Sequence, residues 1–329
     1  MAIENISRNS GLVKVLANQV KGVNVTPQDA AEADQICREL AQDMNPTNRH
    51  LIAQLVGYTV NELQQHELDF LGSFADIKNI GYGDKAQFTT KLHGIKAFWQ
   101  AKGSTTARSY VSEKKLTLGT EEISARPAMN IIDVRTGNIN FSDLISEANR
   151  AITLKKLAKV EAALQAGLSA DSNVYSSTNR SGAKSALDAL LAKFMRLGPV
   201  SIVGDPEMIA FISTLPSFTG SGFSDAMLDE YRDYGFIGRY NGAQVVQMPN
   251  AYDFGSWTPI LDQKYLYIIP GGMTGDARNL KVVNEGGVST FESQNIDDMT
   301  YEMRIDEWFG CGWVKGDRTN MGGLYISDL

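Results

Sequence analysis

The chain has 329 residues, 43% hydrophobic and 21% charged, enough for one or two packed domains and without a low-complexity tract of disordered composition. Its 31 lysines and arginines face 38 acidic residues, a formal charge of -7, which excludes a protein whose main task is gripping nucleic acid. Cys37 and Cys311 are far apart, no second Cys or His stands at ligand spacing, and no long apolar run occurs, so no zinc site or membrane span is expected. The opening MAIENISRNSGLVKVL has neither the basic head nor the apolar run of an export signal, and synthesis in a reducing cytoplasm is expected.

The first predicted helix starts at Thr26 as cap, with Pro27 at the first helical position and Asp29 in the first turn. Ala33, Ile36, Cys37, Leu40, Ala41 and Met44 then share one side, which makes Cys37 core filler. A second helix follows Asn45-Pro46, carries Leu51, Ile52, Leu55, Val56 and Leu63 on one side, and runs toward Phe70 or Phe74.

From Ile80 to about Thr136 the period changes. Phe88, Thr90 and Leu92 alternate with Gln87, Thr89, Lys91 and His93, and Leu116 and Leu118 flank Thr117, which reads as strands. The polar stretch AKGSTTARSY between them predicts one long antiparallel hairpin with its tip near Lys102-Gly103. A two-stranded ribbon is marginal alone in water, and Phe98 and Trp99 near the tip have too few apolar neighbours to build a core of their own. Either these strands belong to a larger intramolecular sheet, or the hairpin lies on a neighbouring subunit.

FSDLISEANRAITLKKLAKVEAALQAGLSA is the strongest helical segment, with Asn140 or Ser142 as cap, Asp143 in the first turn and Gly167 near the stop. Leu144, Ile145, Ala148, Ile152, Leu157, Val160, Leu164 and Leu168 give it a wide apolar stripe. The polar link SADSNVYSSTNRSGA marks a domain boundary. Beyond it come a helix over 184–197, the strand Val200–Val203, and a helix capped by Asp205 and opened by Pro206. The glycine-rich GFIGRYNGAQVVQMPN, the strand YLYIIP and KVVNEGG follow and imply an α/β layer of short strands, and the chain closes on the long strand-like run MTYEMRIDEWFGCGWV and a last short one, GGLYI.

Motifs that would carry chemistry are missing or have structural explanations. There is no phosphate loop, and Gly271-Gly272-Met273-Thr274-Gly275 is out of register for a dinucleotide fingerprint. His50 and His66 fall on polar stretches of helix, His93 on the polar face of the hairpin, and Gly-x-Ser-x-Gly is absent. Asp297, Asp298, Glu302, Asp306 and Glu307 suggest a carboxylate cluster, but Glu302, Arg304 and Asp306 share a strand face, which predicts an exposed salt-bridged surface instead. No catalytic, cofactor-binding or metal-ligating residue is assigned, and no cofactor is expected.

The order of parts resembles the major capsid proteins of tailed bacteriophages, whose Hong Kong 97-type fold encapsulin shells share. The strings VSIVGDPEMIAFIS and GFIGRYNGAQVVQMPN are similar to the strand-then-helix element and following strand region of that family's axial domain. The resemblance implies an α+β fold with a helical N-terminal arm over 1–79 and an extended hairpin loop over 80–135. It places a peripheral domain with a long spine helix over 136–183 and 280–312, and an α/β axial domain over 184–279 and 313–329.

It further implies a non-enzymatic major head protein that self-assembles into pentamers and hexamers of an icosahedral shell around double-stranded DNA, which it contacts non-specifically. The virion would assemble in the host cytoplasm, with scaffolding, portal and decoration proteins as further partners and no membrane. Inter-subunit contact would fall on the hairpin tip, at Phe98, Trp99, Lys102, Arg108 and Tyr110. The chain lacks the long charged N-terminal extension that some relatives use as a scaffold. No lysine–asparagine crosslink pair is assigned either, and Lys102 reads as a solvated turn residue. Two rival readings stay open: an encapsulin-like compartment shell, and an α/β ligand-binding protein or enzyme using the region from Gly271 to Asp276.

Overall fold

The computed structural model describes residues 11–23, 25–43, 45–67, 69–93, 95–136, 141–169, 174–177, 182–196, 198–213, 238–253, 256–270, 278–295, 300–314 and 322–326. The described residues begin with three helices, α1 (Gly11–Val20), α2 (Pro27–Gln42) and α3 (Pro46–Glu67), followed by a 3-10 turn over Asp69–Ser73. The Thr26 hydroxyl accepts from the Asp29 amide at 3.2 Å, so α2 starts where its cap and Pro27 direct. The sequence reading misses α1, which lies ahead of the first expected helix.

Strands β1 (Ala75–Ile80), β2 (Ala86–His93), β3 (Val111–Leu118), β4 (Glu121–Ala125) and β5 (Ala128–Asn130) follow, then α4 (Ile131–Thr136) and the long helix α5 (Phe141–Ser169). Ser142 is therefore inside α5 rather than its cap, and Asn140 lies outside the described residues. The second half contains β6 (Val174–Ser177), α6 (Ala183–Met195), β7 (Val200–Gly204), α7 (Pro206–Ser213), β8 (Arg239–Tyr240), β9 (Ala243–Gln247) and β10 (Tyr265–Pro270). It closes with β11 (Leu280–Asn295), β12 (Thr300–Trp313) and β13 (Gly322–Ile326).

Among the described residues the strands form three sheets. One runs β1-β11-β12-β4, with β5 also on β12; another runs β6-β13-β10-β7-β9-β8; β2 and β3 form a separate two-stranded ribbon. Only part of the segment 80–135, expected as one hairpin, is in that ribbon. Residues 121–125 and 128–130 pair antiparallel with β12 instead, because Ile123, Ala125 and Met129 find an apolar face there that a free ribbon does not offer.

Helix α5 is the element around which both large sheets pack. Its first half buries Ile145, Ala148 and Ile152 in one core with α1, α2, α3 and Tyr301, Met303 and Ile305 of β12. Its second half buries Leu157, Val160, Leu164 and Leu168 against Phe309 and Leu280 of the first sheet and Tyr267, Ile269 and Val203 of the second. Helices α6 and α7 cover the six-stranded sheet through Leu187, Leu191, Phe194, Met208 and Ile209. The Asp205 carboxylate accepts from the Glu207 amide at 2.8 Å, so the start of α7 has the cap that its sequence announces.

Candidate functional site

The ribbon of β2 and β3 pairs in continuous register from Ala86 opposite Leu118 to His93 opposite Val111. Its root is held by packing. Phe88, 1% exposed, sits in a small core with Ala86, Val283, Ile80 and Leu118, and the ammonium groups of Lys78 and Lys281 lie 4.6 and 5.2 Å from its ring centre. Lys281 is itself buried and ion-paired with Asp76 at 2.7 Å, which neutralises a charge that would otherwise be costly there.

Glu285 clamps the two strands of the ribbon together at its root. Its carboxylate accepts from the Gly83 amide at 2.8 Å, before β2, and from the Thr120 hydroxyl, after β3. These bonds, the Thr120 one foremost, hold the Glu285 carboxyl below its ordinary pKa. The clamp stands at an irregularity in β11, where the pairing with β12 shifts between Glu285 and Ser289. Gly286 adopts φ +69° there under the ring of Tyr82, so no side chain fits at this position. The Tyr82 ring meets Trp308 edge-on at 5.1 Å, and its hydroxyl donates to the Gly287 carbonyl at 2.7 Å.

Beyond residue 94 the ribbon has no core. A turn with Gly103 at φ +89° closes it, and the Gln100 side-chain oxygen accepts from the Ser104 and Thr106 hydroxyls. Ile95, Phe98, Trp99 and Tyr110 are exposed, Trp99 completely, and Lys102 and Arg108 are exposed beside them. Phe98, Trp99, Lys102, Arg108 and Tyr110 are thus all solvent-exposed, spread over the segment beyond the paired strands, from Phe98 through the turn at Lys102 to Tyr110 just before β3. The charges of this segment are all positive: Lys96, Lys102 and Arg108 have no acidic residue among them from 95 to 110.

A second apolar surface lies elsewhere. Between β4 and the first half of α5 runs a groove of about 550 Å³, with Ile123, Pro127, Leu144, Ala148 and Ile152 along its floor and Arg126, Asp143, Glu147 and Lys155 at its rim.

The remaining expectations about chemistry divide. Burial raises the thiol pKa of Cys37 and of Cys311 to about 12, so neither is a nucleophile at neutral pH. His50 is exposed on α3 and 3.0 Å from the Gln54 amide nitrogen. The side chains of His66 and His93, together with Asp297, Asp298 and the stretch from Gly271 to Asp276, lie outside the described residues. Arg304 bonds Asp306 at 2.7 Å and pairs with Glu122, and Glu302 pairs with Arg126, so the salt-bridged face is present. It is not exposed throughout: Asp306 is buried, because Ser124 of β4 covers it and donates to it at 2.7 Å. Among the described residues no three His, Cys, Asp or Glu side chains are grouped to hold a metal, and no helix is long and apolar enough to cross a membrane. Sequence reasoning missed the root of the ribbon. Tyr82, Glu285 and Thr120 lie in three separate segments with no shared pattern.

The model of a family described as "SPbeta prophage-derived putative capsid protein YonB" matches residues 3–325. No curated protein matches the chain. Among solved structures, the asymmetric unit of the bacteriophage PhiM1 mature capsid aligns with a TM-score of 0.54 at 14% identity, over 79% of this chain and 87% of that one. A structure from Mycobacterium phage Cain aligns with a TM-score of 0.54 at 14% identity, over 79% and 90% of the two chains. One from Mycobacterium phage Adephagia aligns with a TM-score of 0.52 at 13% identity, over 78% and 89%. The fold is the α+β, Hong Kong 97-type fold of phage capsids.

Proposed function

Because the chain belongs to the family of the SPbeta prophage-derived putative capsid protein YonB, we propose that it is the major head protein of a tailed phage, closing into pentamers and hexamers of a shell around double-stranded DNA. The observation that carries this reading is the ribbon tip. Ile95, Phe98, Trp99 and Tyr110 are large apolar groups that nothing among the described residues covers, and clustered uncovered apolar groups mark sites of protein contact.

Head-to-tail contacts that close into rings require two different, complementary patches on one subunit. The aromatic tip, on a ribbon rooted by Phe88 and Glu285, and the groove between β4 and α5 would supply such a pair. In this reading the six-stranded sheet with α6 and α7 is the axial domain at the centre of each ring. The five-stranded sheet with α5 is the peripheral domain, and Phe98, Trp99, Lys102, Arg108 and Tyr110 make the contact. Many such interfaces, each modest, combine through multivalency. The acidic chain, with its net charge of -7, would touch packaged DNA only weakly, so that the genome is not held fast to the inner wall. Scaffolding, portal and decoration proteins would be its partners during assembly in the host cytoplasm. The role is mechanical and needs no catalysis.

The test is size-exclusion chromatography with negative-stain electron microscopy on the purified chain across salt and protein concentration. Closed particles, pentamers or hexamers support the reading; a monodisperse monomer or dimer under every condition overturns it.

A further inference from the structure

A chain of polar contacts ties helix α5 to the six-stranded sheet. The Glu161 carboxylate, on the helix, accepts from the Asp262 amide at 2.9 Å and stands 3.5 Å from the Tyr267 hydroxyl, which Gln165 of the next helical turn also bonds. The loop that carries Asp262 is fastened to the sheet on its other side. There the Leu261 amide donates to Asn250 Oδ1 at 3.0 Å, and Asn250 Nδ2 donates to the Leu261 carbonyl at 3.1 Å and to Asp205 Oδ2 at the cap of α7. Residues 259–264 thus form a strap from helix to sheet.

At the helix end the surroundings oppose a charge. Glu161 is 6% exposed, and the carboxylates of Asp262, from the strap, and Asp205, from the cap of α7, repel its anion. Strand β10 faces it with Tyr265 and Tyr267, and the Tyr325 ring of β13 lies 4.8 Å from that of Tyr265. The neighbouring bases of α5 are engaged elsewhere, Lys159 with Glu121 and Lys156 with Glu307. Lys264 lines the same crevice of about 470 Å³, but among the described residues no ion pair joins it to Glu161, and no histidine lines the crevice. A buried carboxylate without a base beside it is neutralised by a proton, and the crevice gives solvent a path to deliver one.

We propose that this strap is proton-gated: it is fastened to α5 while Glu161 is protonated and loosens when Glu161 ionises. Burial foremost, with the two carboxylates, raises the carboxyl from 4.5 to about 7 in the folded protein, against the bond from the Asp262 amide. The fastening is therefore complete below pH 4.5, is lost as pH rises to 7 and changes little above that. What opens is the strap rather than the whole sheet, since Leu157, Val160 and Leu164 of α5 keep Tyr267 and Val203 seated in a shared apolar core. The gate does not rest on the shell reading. It gives the joint between the long helix and the six-stranded sheet a stiffness that follows pH.

The test is amide hydrogen exchange of the purified full chain at pH 5.5 and 7.5, with each rate divided by the chemical exchange rate at that pH and read by peptide mass spectrometry. Peptides covering 259–264 should lose about five- to twentyfold in protection at the higher pH, after allowance for solvent screening, while those covering α6 do not. In Glu161→Gln, which keeps an acceptor for the Asp262 amide and cannot ionise, that selective loss should vanish. Asp262→Asn keeps the amide and removes one opposing charge, so it should shrink the loss without abolishing it, burial being the larger cause. No selective loss in the wild type would overturn the proposal, and so would the same loss in Glu161→Gln. If the Glu161→Gln chain does not melt cooperatively, Asp262→Asn decides, and a loss there equal to that of the wild type overturns the gate.

Discussion

Lys156 of α5 and Glu307 of β12 form an ion pair inside the protein, their side chains 1% and 10% exposed. Lys156 also donates to Gln64 Oε1 at 2.7 Å, and the Gln64 amide nitrogen donates to Asn149 Oδ1 at 2.8 Å and Thr153 Oγ1 at 2.9 Å. One polar network thus ties α3, the long helix and the first sheet. Lys156→Met removes the charge partner that Glu307 has among the described residues and should cost about 3–5 kcal/mol in urea denaturation of the unassembled subunit. Lys156→Met with Glu307→Leu removes both charges and should regain most of that loss. Near-native stability of the single variant would mean that water reaches Glu307.

Gly167 near the end of α5 faces the indole of Trp313. A Cβ there would stand 2.7 Å from Cγ and 2.8 Å from Cδ2 of the ring, too close without movement. In an exposed helix Gly→Ala gains up to about 1 kcal/mol. At Gly167 the ring must shift, at an overpacking cost of about 1–3 kcal/mol. Gly167→Ala should therefore lower thermal stability, whereas Gly11→Ala, with open space around it, should be neutral or better. Equal behaviour of the two would refute the ring contact.

These two sites show what the sequence disclosed and where it stopped. Helices α2 and α7 were legible because their caps are local, with Thr26, Pro27, Asp205 and Pro206 all within a turn of what they cap. Helix α5 was legible because its apolar period repeats over 29 residues. Helix α1 has ten residues and no acidic residue in its first turn, so nothing announced it. The strand character of 121–130 could be read, but its partner could not. β12 lies far along the chain, and pairing choice is set by which apolar face is left uncovered. Of the ribbon, the exposed tip was readable from Phe98 and Trp99 amid polar residues. Its root was not, since Glu285 and Lys281 look like ordinary surface charges until β1, β2 and β11 meet.

Glu161 of α5 joins that helix to the loop before β10. Its Oε1 accepts from the Asp262 amide at 2.9 Å and lies 3.5 Å from the Tyr267 hydroxyl. Burial above all, with the Asp262 and Asp205 carboxylates adding to it, raises its pKa from 4.5 to about 7, against the bond from the Asp262 amide. The folded protein therefore binds a proton between pH 4.5 and 7 that the unfolded chain releases. Its contribution is fullest below pH 4.5 and is lost as pH rises through 7. Glu161→Gln keeps an acceptor for the Asp262 amide and carries no charge. It should match the wild type near pH 5 and exceed it at pH 8 by about 1–2 kcal/mol after allowance for solvent screening. Thermal melts at the two pH values decide this, and an advantage that is the same at both would rule the titration out.

Trp99 is completely exposed, so its removal has nothing to disturb in the isolated subunit. Surface substitutions of this kind change stability by no more than about 0.5 kcal/mol. If the tip docks on a neighbour, the same side chain becomes a buried aromatic anchor, and such anchors cost about 2 kcal/mol or more when truncated, near thirtyfold in association per contact. Trp99→Ala should thus leave the subunit's melting unchanged while raising, by tenfold or more, the protein concentration at which particles or rings appear by light scattering. Lys102→Ala, which removes a charge from the rim of the same tip, should shift that concentration little but weaken its salt dependence. A Trp99→Ala chain that assembles at the wild-type concentration would take the tip out of the interface and leave the groove beside β4 to be matched with some other surface.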